Sequence, residues 1–316
     1  MLVYIIRRIF SLIPVLLGVT ILVFLIMHLS PGDPAKIILG PKATEEALMQ
    51  MRATLGLDLP IHQQYFRWIT NIFKGDWGRS ISLRMQVLPL IIERFSATAI
   101  LAFASAAIAS VVGISFGVVA AVKKYSFTDR FLMIVTLIGF CLPVFWLGIL
   151  LQIIFGLRLD WFPMSQMYPP GGPTGPYDIL WHLALPSLAL ATGSGALIAR
   201  MTRSSMLEVL DQDYIRTARS KGIKEAKVIY KHALKNAFIP ILTVLGMQVG
   251  FLLAGAVLVE KVFSWPGIGT LMVNGILARD FPLVQGIILF VATTYVLVNL
   301  LVDIIYAYLD PRITYN

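Results

Sequence analysis

The sequence predicts an all-α membrane protein of about six transmembrane helices, with an ordered loop after the first. Three observations lead there. Of 316 residues, 58% are hydrophobic and 14% charged, and mean hydropathy is +0.80; a water-soluble domain carries about 25% charged residues. The apolar residues are grouped into runs close to the ~20 residues that a helix needs to cross a bilayer core. They are longer and more uniform than the alternating ~10-residue strands of a membrane barrel. Finally, Lys and Arg concentrate on one side of the topology that these runs define.

The runs cover residues 9–29, 97–122, 131–155, 183–199, 238–258 and 283–308, the fourth being the shortest. Helices suit them because a helix satisfies its own backbone groups in lipid. The first run follows Arg7 and Arg8. It is too long for the core of a signal peptide and no small-x-small cleavage pattern follows, so it reads as a retained anchor. Ser30-Pro31-Gly32-Asp33-Pro34 stops it.

The loop from about 30 to 96 carries helix signals of its own. Thr44 is placed to cap a helix with Glu45 and Glu46 in its first turn, Leu48, Met51 and Leu55 recur at helical spacing, and Gly56 ends the run. A second amphipathic helix is expected after Pro60, with Tyr65, Ile69, Ile72 and Phe73 on one face. These helices either lie on the membrane surface, cover the outer mouth, or form a packed cap with no ligand role.

In the third run, Pro143 is expected to kink the helix, and Cys141 reads as a core filler rather than a reactive or metal-binding thiol. Tyr168-Pro169-Pro170-Gly171-Gly172-Pro173 is loop chemistry. Between the fourth and fifth runs, 200–235 holds nine of the 26 Lys and Arg, with Tyr214, Ile215, Ala218 and Ile223 interleaved. Asp211 or Asp213 is placed to cap a short helix there, Gly222 to end it, and a second short helix leads through His232 and Asn236 into the fifth run. Two readings stand for this segment: a folded partner-binding element, or a solvated basic loop near anionic headgroups. Between the fifth and sixth runs, 264–269 turns the chain and 270–280 reads as a short helix that dips back toward the membrane.

Fifteen of the Lys and Arg fall on the side of residues 200–235, against Arg158, Lys261 and Arg279 on the two short connections opposite; the other eight lie in the long loop. This positive-inside pattern places both termini in the cytoplasm. The net charge of +9 therefore reflects membrane orientation and calls for no nucleic acid.

Catalytic signals are missing. There is no G-x-x-x-x-G-K-[ST] phosphate loop, no His-Glu-x-x-His, no G-x-S-x-G and no cysteine pair, and His28, His62, His182 and His232 lack metal-ligand spacing. Asp303 is the exceptional carboxylate within a run, near the cytoplasmic interface. A self-powered carrier carries ionisable groups at mid-membrane, so a passive conduit is favoured over a secondary carrier, an embedded enzyme or a scaffold. Ser194, between Gly193 and Gly195, Gln248 and, deeper, Asn299 either line a path or serve helix packing.

Several ordered motifs together resemble the inner-membrane permeases of bacterial dipeptide and oligopeptide ABC importers, specifically the first of their two permease subunits. They are 30–34, Leu55-Gly56-Leu57-Asp58 with Pro60, and Gly75-Asp76-Trp77-Gly78 with Ser80. Further on come Arg200-Met201-Thr202-Arg203-Ser204-Ser205-Met206, 213–222, 232–237, 263–269, Asp280 with Pro282, Gln285-Gly286, and 299–311. The segment 200–237 is similar to the coupling loop of type I importers, a helix-turn-helix that docks into the ATPase subunit. Ala218 and Gly222 match its general motif; the leucine–proline of that motif corresponds to Leu234-Lys235.

The resemblance implies a type I importer fold: an anchor helix and extracytoplasmic loop over 1–94, a transmembrane domain over 95–309, and a cytoplasmic tail over 310–316. It implies Tyr214, Ile215, Thr217, Ala218, Lys221 and Gly222 as the ATPase-coupling set. It also implies that the chain binds no cofactor or metal and has no catalytic residue, with ATP and Mg on partners. Those partners are a second homologous permease, two ATP-binding subunits, an extracytoplasmic substrate-binding protein and the lipid bilayer. The resemblance further implies the bacterial cytoplasmic membrane as the location and a di- or oligopeptide as the cargo, with a nickel chelate or glutathione as the alternatives.

Overall fold

Uninterrupted apolar runs with few Gly-Pro breaks form helices, and in the computed structural model, which describes residues 2–29, 33–40, 42–172 and 175–309, the regular elements of the described residues are helices. The expected stop at Ser30-Pro31-Gly32, the end of the Pro-Gly loop at Pro173 and the tail 310–316 lie outside them.

Helix α1 (Leu2–Leu29) is followed by three short helices, α2 (Pro34–Leu39), α3 (Glu45–Leu55) and α4 (Ile61–Phe73). As expected, the Thr44 hydroxyl accepts from the Ala47 amide at the start of α3, and Gly56 closes it in the left-handed region at φ 70°. α4 packs on α1: Tyr65 Oη lies 2.8 Å from Thr20 Oγ1, Gln64 Oε1 lies 2.9 Å from His28 Nε2, and Trp68 and Tyr65 meet the Phe24 ring. Phe73, expected on the packed face, is 86% exposed instead. It is one residue past the strip that meets α1, at the final turn of α4, so the face consists of Tyr65, Trp68, Ile69 and Ile72.

Two long helices form the centre: α5 (Val87–Val122) and α8 (Pro176–Leu210), which make the most extensive contact in the molecule. α5 starts inside what the sequence assigned to the loop, so residues 87–94 are already helical. A Cβ on Gly117 would sit 2.4 Å from Thr202 Cβ and 2.6 Å from the Ala199 carbonyl; only glycine lets these two backbones approach so closely. α8 is much longer than the 17 residues expected, and 61% of its spanning window is buried, against 28%, 33% and 11% in the other three long spans. An interior helix needs less hydrophobicity than a lipid-facing one, which is why its run looked short.

The third run is broken. α6 (Phe127–Cys141) and α7 (Val144–Leu151), extended by a π-helical stretch Gln152–Arg158, meet at 104° across Leu142-Pro143. Proline has no amide to continue the ladder and forces its predecessor out of helical φ/ψ. Cys141 sits at this break and is exposed rather than buried, so the core-filler expectation is corrected. A thiol behaves as a small hydrophobe and suits a lipid-facing surface as well.

The remaining elements are α9 (Asp213–Ser220), α10 (Glu225–Lys227) with a π-helical stretch Val228–Ala233, α11 (Leu234–Gly255), α12 (Val257–Val262), α13 (Ile268–Leu277) and α14 (Phe281–Leu309). The expected second short helix is no separate element: 225–253 runs on as one helix. Among the described residues, four helices are long and apolar enough to cross a membrane; the bent α6–α7 pair is a fifth segment, and α1 holds the apolar stretch Phe10–Ile26 within its 28 residues. Large apolar side chains such as Val111, Ile134, Leu137 and Leu301 are exposed along these helices. That outward apolar surface is what lipid solvates and water does not.

Candidate functional site

The segment between α8 and α11 was the strongest functional candidate, and the structure folds it tightly against the bundle. α9 begins after Gln212, whose side chain makes no capping bond; Asp211 instead ends α8 and Asp213 lies in the first turn of α9. Neither aspartate is therefore the expected cap, and Asp213 acts on the helix dipole from within the first turn. The helix ends at Ser220, and Gly222 follows at φ 72° with open space around it. The expected left-handed terminator is in place.

The six coupling candidates divide by exposure. Ile215 and Ala218 are buried in a cluster with Met206, Val228, Ile229, Ala233 and Ile241. The cluster covers both, so Ala218, which matches the coupling-loop motif, faces the bundle and holds an anchoring position. The reason is periodicity: residues three apart share one face of a helix, and that face meets the π-helical stretch, where Val228, Ile229 and Ala233 are all buried. Tyr214, Thr217, Lys221 and Gly222 are exposed. Two contacts hold the element to its neighbours: Arg219 Nη2 donates to Glu225 Oε1 at 2.8 Å, and Asn236 Nδ2 donates to Tyr214 Oη at 2.7 Å. The ion pair raises the affinity of the Arg219 guanidinium for its proton.

Beneath this element, Arg203 of α8 grips Asp129 of α6 with two bonds, Nε to Oδ1 and Nη2 to Oδ2, both 2.7 Å. Asp129 is 3% exposed and also accepts from the Tyr125 amide at 3.0 Å. The same end of the molecule joins α1 to α14 through Arg8 Nη1 and Asp303 Oδ2 at 2.8 Å, which supplies the partner for the carboxylate singled out in the last run.

The three path candidates separate. Ser194 Oγ donates to Gln248 Oε1 at 2.9 Å, and both line a cavity of about 490 Å³ with Phe140, Leu147, Leu190 and Phe251. The wall is apolar apart from this pair and Thr192. Asn299 lies elsewhere, against Gly250 at the α11–α14 contact.

Two carboxylates at the opposite end carry no role in the sequence reading. Asp280 is fully buried; its Oδ2 accepts from Ser80 Oγ at 2.5 Å and from Ser82 N and Oγ at 2.9 and 2.7 Å. Burial pushes its carboxyl up, but these hydrogen bonds outweigh that and hold it below the usual range. Glu260 is also fully buried; it accepts from Thr98 Oγ1 at 2.6 Å and the Thr270 amide at 2.9 Å, and the neighbouring Trp265 Nε1 donates to the Ala97 carbonyl at 2.9 Å. Ser80 and Asp280 both belong to matched motifs, but their pairing across 200 positions had no sequence signal. Glu260 stood outside every motif. Among the described residues, no group of three or more His, Cys, Asp or Glu is placed to hold a metal.

Comparison with known proteins gives the family of the chain. Residues 113–315 match the family model described as "Binding-protein-dependent transport system inner membrane component", and residues 1–102 match the N-terminal model of the same transport-system membrane components. The chain is 44% identical over 333 residues to the dipeptide transport system permease protein DppB of Alkalihalophilus pseudofirmus, covering 100% of both. It is 43% identical over 316 residues to the glutathione transport system permease protein GsiC of Salmonella paratyphi A, and 42% identical to that of Escherichia coli K12, again covering 100% of both chains. A chain of the MetNI methionine ABC transporter in an inward-facing conformation superposes with a TM-score of 0.59 at 15% identity, covering 70% of this chain and 96% of that one, a likeness of fold.

Proposed function

Because the chain belongs to the family of binding-protein-dependent transport system inner membrane components, we propose that it is the membrane-spanning permease subunit of an ATP-driven importer of short peptides. The observation that carries this reading is the full-length similarity to a dipeptide permease. A glutathione permease at 43% identity supports a second cargo within the same class, since glutathione is itself a tripeptide.

On this reading, residues 1–94 supply the anchor helix and outer loop, 95–309 the transmembrane domain and 310–316 a cytoplasmic tail, with both termini and α9 in the cytoplasm. ATP and Mg bind to two separate ATP-binding subunits, a second homologous permease completes the pathway, and an extracytoplasmic binding protein delivers the cargo. The chain itself has no catalytic role. Tyr214, Thr217 and Lys221 form the face that meets the ATPase; Ile215 and Ala218 hold that face to the bundle, and Gly222 sets its end. Closure of the ATPase pair pushes α9, and because α9 is packed on α8 and α10–α11, the long helices move as rigid bodies. Ser194 and Gln248 line the path for the cargo; Asn299 serves helix packing.

Reconstitution in liposomes tests this. The purified chain alone is expected to hydrolyse no ATP. Addition of the partner subunits and binding protein is expected to give hydrolysis coupled to uptake of labelled dipeptide, and a parallel measurement with glutathione separates the two cargoes. Turnover by the isolated chain, or uptake that persists without ATP, sinks the reading.

A further inference from the structure

Helix α4 is gripped on two sides and bare on a third. On the first side, Gln64 Nε2 donates to the Leu57 and Leu59 carbonyls at 3.2 and 2.8 Å. Arg67 Nη1 lies there too, so near Gly56 that a Cβ on the glycine would come within 2.7 Å of it. On the second side, Gln64, Tyr65 and Trp68 meet His28, Thr20 and Phe24 of α1. These contacts fix the roll of the helix. Phe66 and Phe73, about two turns apart on one edge, then point away from α1 and are 65% and 86% exposed. Ile69, half-buried, joins that edge to the face on α1. Thr70 lies between the two rings, and its hydroxyl is already spent on the Phe66 carbonyl at 2.7 Å. Gln63, Arg67 and Asn71 share the opposite, polar arc, and Lys74 follows them.

A bare aromatic edge beside a polar arc marks an interaction surface. The position of α4 along α1 decides what covers it. The contact runs from Thr20 to His28, about 12 Å of helix, and Thr20 and Phe24 fall inside the apolar stretch Phe10–Ile26. α4 therefore lies beside the last third of α1, not beyond its end. Over the same length α1 bares Ile21, Leu22, Leu25 and Leu29, so Phe66 and Phe73 continue a surface that lipid solvates. The residue types agree. Tyr and Trp settle at the headgroup level, where one end of the ring is apolar and the other wet. A helix with aromatic and aliphatic residues on one edge and Arg and Lys on the other lies in the plane of that interface.

We propose that α4 is an interfacial helix. It rests in the leaflet at the end of the molecule opposite α9, with Phe66 and Phe73 among the acyl chains and Gln63, Arg67 and Lys74 in water. It ties the loop after α1 to the membrane plane. This placement requires α1 to span the membrane and is independent of the cargo.

The test uses the assembled transporter in vesicles of phosphatidylethanolamine and phosphatidylglycerol. In a Cys141→Ala background, a nitroxide is attached at Phe66→Cys, Phe73→Cys, Gln63→Cys or Leu25→Cys. Power saturation compares collisions with oxygen, which concentrates in lipid, and with a nickel chelate, which stays in water. Phe66→Cys and Phe73→Cys are expected to match the oxygen-to-nickel ratio of Leu25→Cys, the lipid reference on α1, and to exceed that of Gln63→Cys several-fold. A ratio as low as that of Gln63→Cys places the edge in water and overturns the proposal. Few collisions with either reagent show a protein cover and overturn it in favour of the second permease, or of the binding protein if the shielding appears only when that protein is added. A low ratio at Leu25→Cys removes the spanning of α1 and the proposal with it. The unsubstituted chain gives a second measurement that needs no cysteine variant to assemble. A phosphatidylcholine with a diazirine on its acyl chain, photolysed in the same vesicles, is expected to leave adducts on 66–73, and adducts on α1 with none on α4 overturn the proposal.

Discussion

Single residues decide how firmly the helices are tied. The Arg203–Asp129 pair is bidentate and its carboxylate is 3% exposed. Removing one partner of a buried pair leaves the other charge uncompensated, a loss of about 3 kcal/mol at the lower end of the usual range, which suits an arginine partly open to solvent. Asp129→Asn is therefore expected to lower the unfolding midpoint in detergent by several degrees, and an unchanged midpoint contradicts the role. Asp33 provides a pH-dependent counterpart outside the spans. Its hydrogen bonds from Arg52, 3.0 Å from Nε and 2.5 Å from Nη2, hold its carboxyl below the ordinary value. A depressed carboxyl contributes stability fully above its unfolded pKa of about 3.9 and loses it as pH falls through the lower folded value. Hydrogen exchange in α2 and α3, corrected for intrinsic rate, should quicken only below about pH 4, and Asp33→Asn should remove that step.

At the scale of elements, α9 is the test case for what can be read from a sequence. Its existence and the positive φ of Gly222 were legible because periodicity and glycine chemistry are local, whereas its start was misjudged, since neither Asp211 nor Asp213 caps it. Its orientation was not. Ile215 and Ala218 become the inner face only because Val228, Ile229 and Ala233 of the next element pack on them, and nothing within 213–222 specifies that meeting. The same limit hid the Ser80–Asp280 pairing and the angle, though not the position, of the break at Pro143. A sharper prediction follows from the division of α9. Ala218→Trp overfills a packed cluster at about 1–3 kcal/mol and should lower the thermal stability of the chain before any partner is added. Thr217→Trp adds bulk to the outer face and should leave stability unchanged, yet abolish co-purification of the ATPase subunit. Gly222→Val places a β-branched residue at φ 72°, a strain of about 1–2 kcal/mol, and should uncouple hydrolysis from uptake. Normal ATPase association in Thr217→Trp would remove α9 from the docking role.

The whole molecule is organised as a bundle with two unlike ends. One holds α9 and the dense Lys and Arg of 200–235; the other holds the buried acceptors Asp280 and Glu260. The apolar spacing that builds the bundle was legible in outline, because the length of a span is set by the bilayer. The interior α8 was underestimated, since burial against α5 replaces lipid contact and relaxes the demand for hydrophobicity. Orientation rests on a different physical effect, the retention of Lys and Arg in short loops on the cytoplasmic side. That effect makes a definite claim about two loops at the ends of α8. Residue 171 precedes α8 in a connection whose basic residue is Arg158; residue 221 follows it in the richest basic segment of the chain. With Cys141→Ala as background and the chain expressed without partners, so that nothing covers α9, a membrane-impermeant maleimide should label Gly171→Cys on intact cells and Lys221→Cys only after permeabilisation. Because α8 crosses once between these positions, labelling of both from one side would show that α8 does not span, and would remove the outer placement of Asp280 and Glu260 together with the inner placement of α9.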